Sequence, residues 1–280
     1  MEYISGKQKL GKRVSDMRDW IKDNSDRLVE ILILIACMIL PFFIDVQGMF
    51  GDYLKNNYLT PDNIVPYLSI KGGRYILAIV LTLLCLFGIR KHNKEVTMNR
   101  KNIYHKYSYF WYWFCAKVLG IKKCSLVLVP IYMQFKLVIQ SIFEDYPLDQ
   151  GDYPVIDDET DIKTTKLNWS CNPSEINMIL EDTYQIDIKQ IPSEKSNLPT
   201  IKISRNDGNS TGRHFSQKFI ESIITETRSL GNGVRVNVYA TTNPMNTYNI
   251  AKQVFKIANR GNLAERSEER RVGKECRSRW

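Results

Sequence analysis

The residues best suited to chemistry lie in two short polar stretches late in the chain. "SRNDGNSTGR", Ser204 to Arg213, offers Arg205 and Arg213 as anion partners and Ser210 and Thr211 as hydroxyl donors. Gly208 and Gly212 would let backbone approach a ligand closely. "TTNPMN" adds Thr241, Thr242 and Asn243. Each stretch follows a predicted strand. A helix beginning after such a loop presents unpaired N–H groups and the positive end of its dipole, which suits a phosphate. The pattern is neither GxGxxG nor a loop ending in GK[ST]. It therefore points to a small anionic ligand, a nucleotide among them, and not to a particular reaction. The plainer reading is a polar turn built on Asp207-Gly208.

The case for catalysis is thin. Of the three histidines, His92, His105 and His214, only His214 falls near these loops. A Ser210, His214 and Asp207 set would be hydrolytic only in a specific geometry. Glu221 and Glu226 read as the solvated face of a helix. No catalytic residue is assigned, the expectation is a non-enzymatic protein, and no cofactor is called for. Asp149, Asp152, Asp157, Asp158 and Asp161 form an acidic run, but their spacing is not that of a calcium loop and Pro154 interrupts them. No metal is expected. The six cysteines contain no CxxC pair, so neither a disulfide scaffold nor a zinc knuckle is predicted.

The elements that must position these loops alternate in period. "NPSEINMILEDTY" reads as a helix, with Asn172 as cap, Pro173 in the first turn and Glu175 completing a capping box. "YQIDIKQI" and "PTIKISR" alternate as strands. "RHFSQKFIESIITETRSLGNG" places Phe215, Phe219, Ile223 and Ile224 on one helical face, stopped by Gly231. "VRVNVYA" is a strand. "NTYNIAKQVFKIANRG" is a helix with Ile250, Val254, Phe255 and Ile257 as its stripe and Gly261 as its cap. Strand and helix in alternation predict a parallel sheet, with ligands at the carboxyl ends of its strands.

Upstream the chain changes character. Leu28–Ile44 and Tyr75–Ile89 are almost wholly apolar. The first just reaches the length that crosses a bilayer, and the second does so with Gly72, Gly73 and a snorkelling Arg74. No cleavage site follows the first run, so it is not a signal peptide. Seven Lys and Arg precede it, three lie between the runs, and nine fall in residues 90–123 against the single acid Glu95. That bias predicts both termini in the cytoplasm, and the Lys- and Ile-rich composition points to a low-GC bacterium, hence an inner-membrane protein.

The segment after the second run interleaves Arg90, Lys91 and Lys94 with Trp111, Trp113 and other aromatics. With Arg74, these six are read as membrane-interface residues. Basic residues among aromatics also suit single-stranded nucleic acid, but beside a membrane span the lipid reading is simpler, and no nucleic-acid partner is expected. "PIYMQFKLVIQSIFEDY" is a helix whose stripe of Ile131, Phe135, Val138, Ile139 and Ile142 could pair with a second copy, giving a homo-oligomer.

Residues 144–168 open with eight acids in eighteen residues and read as a solvated linker. Arg266 to Trp280, "RSEERRVGKECRSRW", resembles the translation of a short-read sequencing adapter over fifteen consecutive codons. That resemblance implies that natural sequence stops near Glu265 and that the α/β domain is truncated. It also removes +3 from the formal net charge of +9.

The expected fold is thus a membrane-anchored α/β protein, two transmembrane helices followed by a truncated cytosolic βαβα parallel-sheet domain. Its parts are an N-terminal helix (1–27), a membrane hairpin (28–89) with an outside loop (47–71), juxtamembrane helices (90–143), the linker (144–168), the α/β domain (169–265) and the adapter-like tail (266–280). The expected function is a sensor: the α/β domain binds the anionic ligand and signals to the membrane helices. A membrane-anchored nucleotide- or phosphoester-processing enzyme and a structural assembly protein are the alternatives. Some bacterial defence effectors that permeabilise membranes share this layout.

Overall fold

The structure is a computed structural model that describes residues 20–22, 24–44, 64–65, 72–148, 162–169, 173–205, 214–231, 233–256 and 266–268. The expected N-terminal helix and outside loop fall largely outside these residues. The chain divides into two units, residues 1–96 with 114–121, and residues 97–113 with 122–280.

The first unit is a helical hairpin. Helix α1 (Ser25–Ile39) hands over at Pro41, which lacks an N–H donor, to a tighter 3-10 turn over Leu40–Phe43. Together they extend about 30 Å, the thickness of a bilayer's hydrocarbon core. Helix α2 (Gly73–Asn93) has 21 residues, and its most apolar window has a mean hydropathy of 1.8 with only 6% of it buried. Apolar side chains such as Leu32, Val80, Leu84 and Phe87 are exposed along both helices, as a lipid-facing surface requires. The two run antiparallel. Phe42, at the end of α1, meets Tyr75, at the start of α2, edge to face at 5.4 Å. At the other end, Arg27 and Glu30 of α1 meet Asn93 of α2.

Among the described residues the second unit holds two sheets. β1 (Thr97–Met98) pairs in parallel with β2 (Lys123–Cys124). Helix α3 (Tyr109–Lys117), which belongs to the first unit from Phe114 on, buries Tyr112 and Cys115, while Phe110 and Trp113 stack on its exposed side at 5.9 Å. Helix α4 (Ile131–Ile139) follows Pro130 as expected, but is buried more widely than the predicted stripe: Met133, Gln134 and Leu137 join Phe135 and Val138. Ile131 and Ile139 are only half-buried. Phe135 packs on Phe255 and Tyr146 on Tyr248.

Among the described residues the main sheet holds β3 (Lys163–Leu167), β4 (Glu175–Glu181), β5 (Thr200–Ser204), β6 (Arg235–Ala240) and β7 (Arg266–Glu268), the last within the adapter-like tail. Their order across the sheet is β3-β5-β4-β6-β7. β4 to β7 pair in parallel, and β3 caps the β5 edge in antiparallel register. Helix α5 (Gln217–Arg228) is capped by Ser216, whose Oγ accepts from Phe219 N. It buries Phe219, Ile220 and Ile223, each contributing about 1.5–3 kcal/mol. Helix α6 (Pro244–Asn249) is capped by Asn243 and continues as a π-helical turn over Ile250–Phe255.

Four expectations are corrected. Residues 175–181 form the central strand β4, not a helix. Ile176, Met178, Ile179 and Leu180 are all buried, as is the polar Asn177 between them, and a strand covered on both faces shows no period of two. Residues 184–191 form no strand. Only Ile186 and Ile191 of that stretch are buried, clustered with Ile179 and Tyr239, while Ile188 sits exposed in a 3-10 turn. The acidic linker is shorter at both ends. Asp145 bridges to Lys123 and Tyr146 is buried, and Lys163–Leu167 is β3. Finally, α6 begins at Pro244, earlier than predicted, and its stripe keeps Ile250, Val254 and Phe255, with Ile257 outside the described residues.

Candidate functional site: a buried polar cluster at the strand ends

In the parallel part of the sheet, β5 lies on one side of β4 and β6 on the other. The connection out of β4 goes one way and that into β6 goes the other, so the order reverses between β4 and β6. Open α/β sheets offer a crevice at such a point. The residues that leave the three strands there are Asp182 after β4, Arg205 after β5 and Thr241–Asn243 after β6.

Asp182 is the hub. Its Oδ1 pairs with Arg205 Nη2 at 2.7 Å. Its Oδ2 accepts from Asn243 N at 3.0 Å, Asn243 Nδ2 at 3.0 Å and Asn246 Nδ2 at 2.9 Å. Arg205 Nη1 also meets His214 Nε2. A guanidinium can only donate, so Nε2 accepts and the imidazole proton belongs on Nδ1. The His214 carbonyl accepts from both asparagines, at 3.0 and 3.2 Å. Asn246 Oδ1 accepts from Ser216 N, which brings the start of α5 into the cluster.

The threonines close the edge. Thr241 Oγ1 donates to Tyr184 O at 2.6 Å, Thr241 O accepts from Thr183 N at 3.0 Å, and Thr242 and Thr247 hydroxyls lie 2.7 Å apart. Arg205 and Asp182 side chains are 1% and 0% exposed. A buried charge needs a partner and further hydrogen bonds, and this network supplies both.

The structure therefore brings Arg205, Thr241, Thr242 and Asn243 together as the order of elements predicts. Asp207, Gly208, Ser210, Thr211, Gly212 and Arg213 lie outside the described residues. Arg205 is engaged by Asp182 and His214, so it acts from inside the fold as a positioning cation. Sequence reasoning missed Asp182, Asn246 and the structural part of His214. The helix-start signature at Asn172, Pro173 and Glu175 conceals the place of Asp182 at a strand end. The Asn243-Pro244 pair was a readable signal for Asn246, since an asparagine cap before a helical proline faces the third residue on. Among the described residues no His, Cys, Asp or Glu group could hold a metal ion.

Of the membrane-interface residues, Arg74 lies in the first turn of α2, Arg90 and Lys91 in its last, and Lys94 just beyond. Trp111 is half-buried on α3 and Trp113 is exposed.

A second buried polar cluster sits at the base of the hairpin. Asn93 is fully buried. Its Oδ1 accepts from Arg27 Nη1 at 2.7 Å, and its Nδ2 donates to Glu30 Oε2 at 2.9 Å and Leu119 O at 3.0 Å. Arg27 and Glu30 pair with each other. Burial pushes the nearby Cys115 thiol up to about 12, with Arg27 pulling it down and Glu30 pushing it up.

An apolar helical hairpin joined to a mixed α/β sheet defines a membrane-associated protein with a separate sheet domain. The chain belongs to the SMODS- and ubiquitin system-associated 2TM effector domains, whose family model matches residues 12–267. It is thus a two-span effector domain of that signalling system. Comparison with curated proteins finds no match.

Proposed function

We propose that the sheet domain is the sensing half of this effector. It takes a small anionic ligand, a nucleotide being the leading class, at the crevice between the carboxyl ends of β4 and β6, and signals to the membrane hairpin. In this reading the protein works in a bacterial inner membrane with both termini in the cytoplasm.

One observation carries the reading. Three strands deliver Asp182, Arg205 and Thr241–Asn243 to a single switch point, and the polar loop 206–213 leaves from Arg205. A cluster in which every strand end is tied to the others responds as a unit when one member is displaced. A ligand shifts such an equilibrium only by its differential affinity for the two arrangements. Arg213, Ser210 and Thr211 are the ligand contacts in this reading, and Arg205 holds the loop's root.

Calorimetric titration of the full chain in detergent with a nucleotide panel, beside a turnover assay, tests it. Saturable binding without turnover, weakened at least about tenfold by Arg213→Ala as loss of a charge-assisted contact predicts, is the expected result. Turnover would make the protein an enzyme. Absence of binding by every nucleotide would end the sensing reading.

A further inference from the structure

We propose that the carboxyl-terminal end of α2 carries a binding site for one anionic phospholipid. Leu83, Leu86, Phe87, Arg90, Lys91 and Lys94 line one open groove. Their spacing, 3-1-3-1-3, is a single stripe along a helix of 3.6 residues per turn. The stripe changes chemistry along its length. Its first two turns are apolar, with Leu83 58% and Phe87 71% exposed. Its last two are cationic, with Arg90, Lys91 and Lys94 all exposed. An apolar floor rising into three cations matches an acyl chain below a phosphate.

Two further observations favour lipid as the occupant. The groove is continuous with a helix long and apolar enough to span a bilayer, so its apolar half already faces hydrocarbon. The single acid of residues 90–123, Glu95, lies beyond the groove and does not line it. Arg90 is also anchored at its root. Gly120 lies against it with φ +77°, and a Cβ there would come within 2.9 Å of Arg90 Cγ and 3.2 Å of its Cα. The Gly120 backbone thus approaches the Arg90 stem closely, while the Arg90 residue stays exposed. This inference is independent of the ligand reading for the sheet domain.

The test uses the full chain carrying Phe87→Trp in lipid nanodiscs, with the parent chain's fluorescence subtracted. Quenching by dibrominated phosphatidylglycerol is compared with quenching by dibrominated phosphatidylcholine. We expect a preference for the anionic lipid on the order of tenfold or more, since each cation near an anionic surface contributes about fivefold. It should fall toward parity in Arg90→Gln/Lys91→Gln/Lys94→Gln and shrink in about 0.5 M salt. Native mass spectrometry of the chain without the added tryptophan should show phosphatidylglycerol retained, and lost in the triple variant. Equal quenching by both lipids, or a preference that survives the triple variant, overturns the proposal. So does an introduced tryptophan that a second copy of the chain shields from both lipids.

Discussion

The two buried polar clusters are built from the same parts and sit in opposite settings. At the base of the hairpin, Arg27, Glu30 and Asn93 join two helices and the carbonyl of Leu119. At the strand ends, Arg205, Asp182, Asn243 and Asn246 join three strands and two helix starts. The ion pair of the first is 13% exposed on each side, and that of the second almost wholly buried. The first pair keeps some exposure, which weakens it relative to a fully buried one. The second must satisfy itself. Such a network loses most when one of its members is removed.

Replacing one member of each cluster would break this comparison most directly. Asp182→Ala leaves Arg205 buried without its carboxylate. It should cost about 3–5 kcal/mol, as when one partner of a buried ion pair is removed. Denaturant unfolding followed by a sheet-domain probe measures this. A loss below about 1 kcal/mol, the scale of an exposed pair, would show that the strand-end cluster is no more demanding than a surface one.

At the hairpin base, Asn93→Leu removes three hydrogen bonds without burying a bare charge. A cost of about 1–3 kcal/mol is expected, read as faster proteolysis between α1 and α2. If it matched or exceeded the cost of Asp182→Ala, the ranking of the two clusters would be reversed.

Cys115 sharpens the same point. Because burial holds its thiol near 12, it stays neutral in the folded chain. The stability that this neutral thiol provides is present below the ordinary value of 9.0 and is lost as pH rises toward 12. Peptide mapping after maleimide treatment at neutral pH should find Cys115 unmodified, and Asn93→Leu should speed its labelling. Equal labelling of native and unfolded chain would mean that the hairpin base is open.

The smallest effect belongs to Glu175, at the other end of β4. Asn237 Nδ2 donates to its Oε1 at 2.9 Å, and with Lys195 nearby this holds the carboxyl below its ordinary 4.5. Its contribution is present above 4.5 and fades as pH falls below it. Glu175→Gln should flatten the acid limb of the stability curve slightly. An unchanged limb would remove Glu175 from the account.

Much of this architecture could be read from residue order. The two apolar runs, β5, α5, β6 and the arrival of Arg205 and Thr241–Asn243 at one sheet edge all follow from hydrophobic period and turn chemistry. β4 could not be read in this way. A strand buried on both faces and a buried helix give the same apolar run, and Pro173 with Glu175 supplied a helix-start signature that the sheet overrode. The false strand at 184–191 failed for the converse reason, since alternation showed where Ile186 could face without showing that it had a pairing partner.

What the sequence determined by itself was the location of apolar length and of charge: a hairpin fit to span a bilayer, a cationic α2 end, and polar loops after strands. These are local properties of consecutive residues. Only the tertiary structure decided that Asp182, Arg205, His214 and Asn246 share one cluster and that Asn93 joins Arg27, Glu30 and Leu119. Those partnerships link residues up to 66 positions apart, and no local propensity specifies which distant polar group will satisfy a buried one.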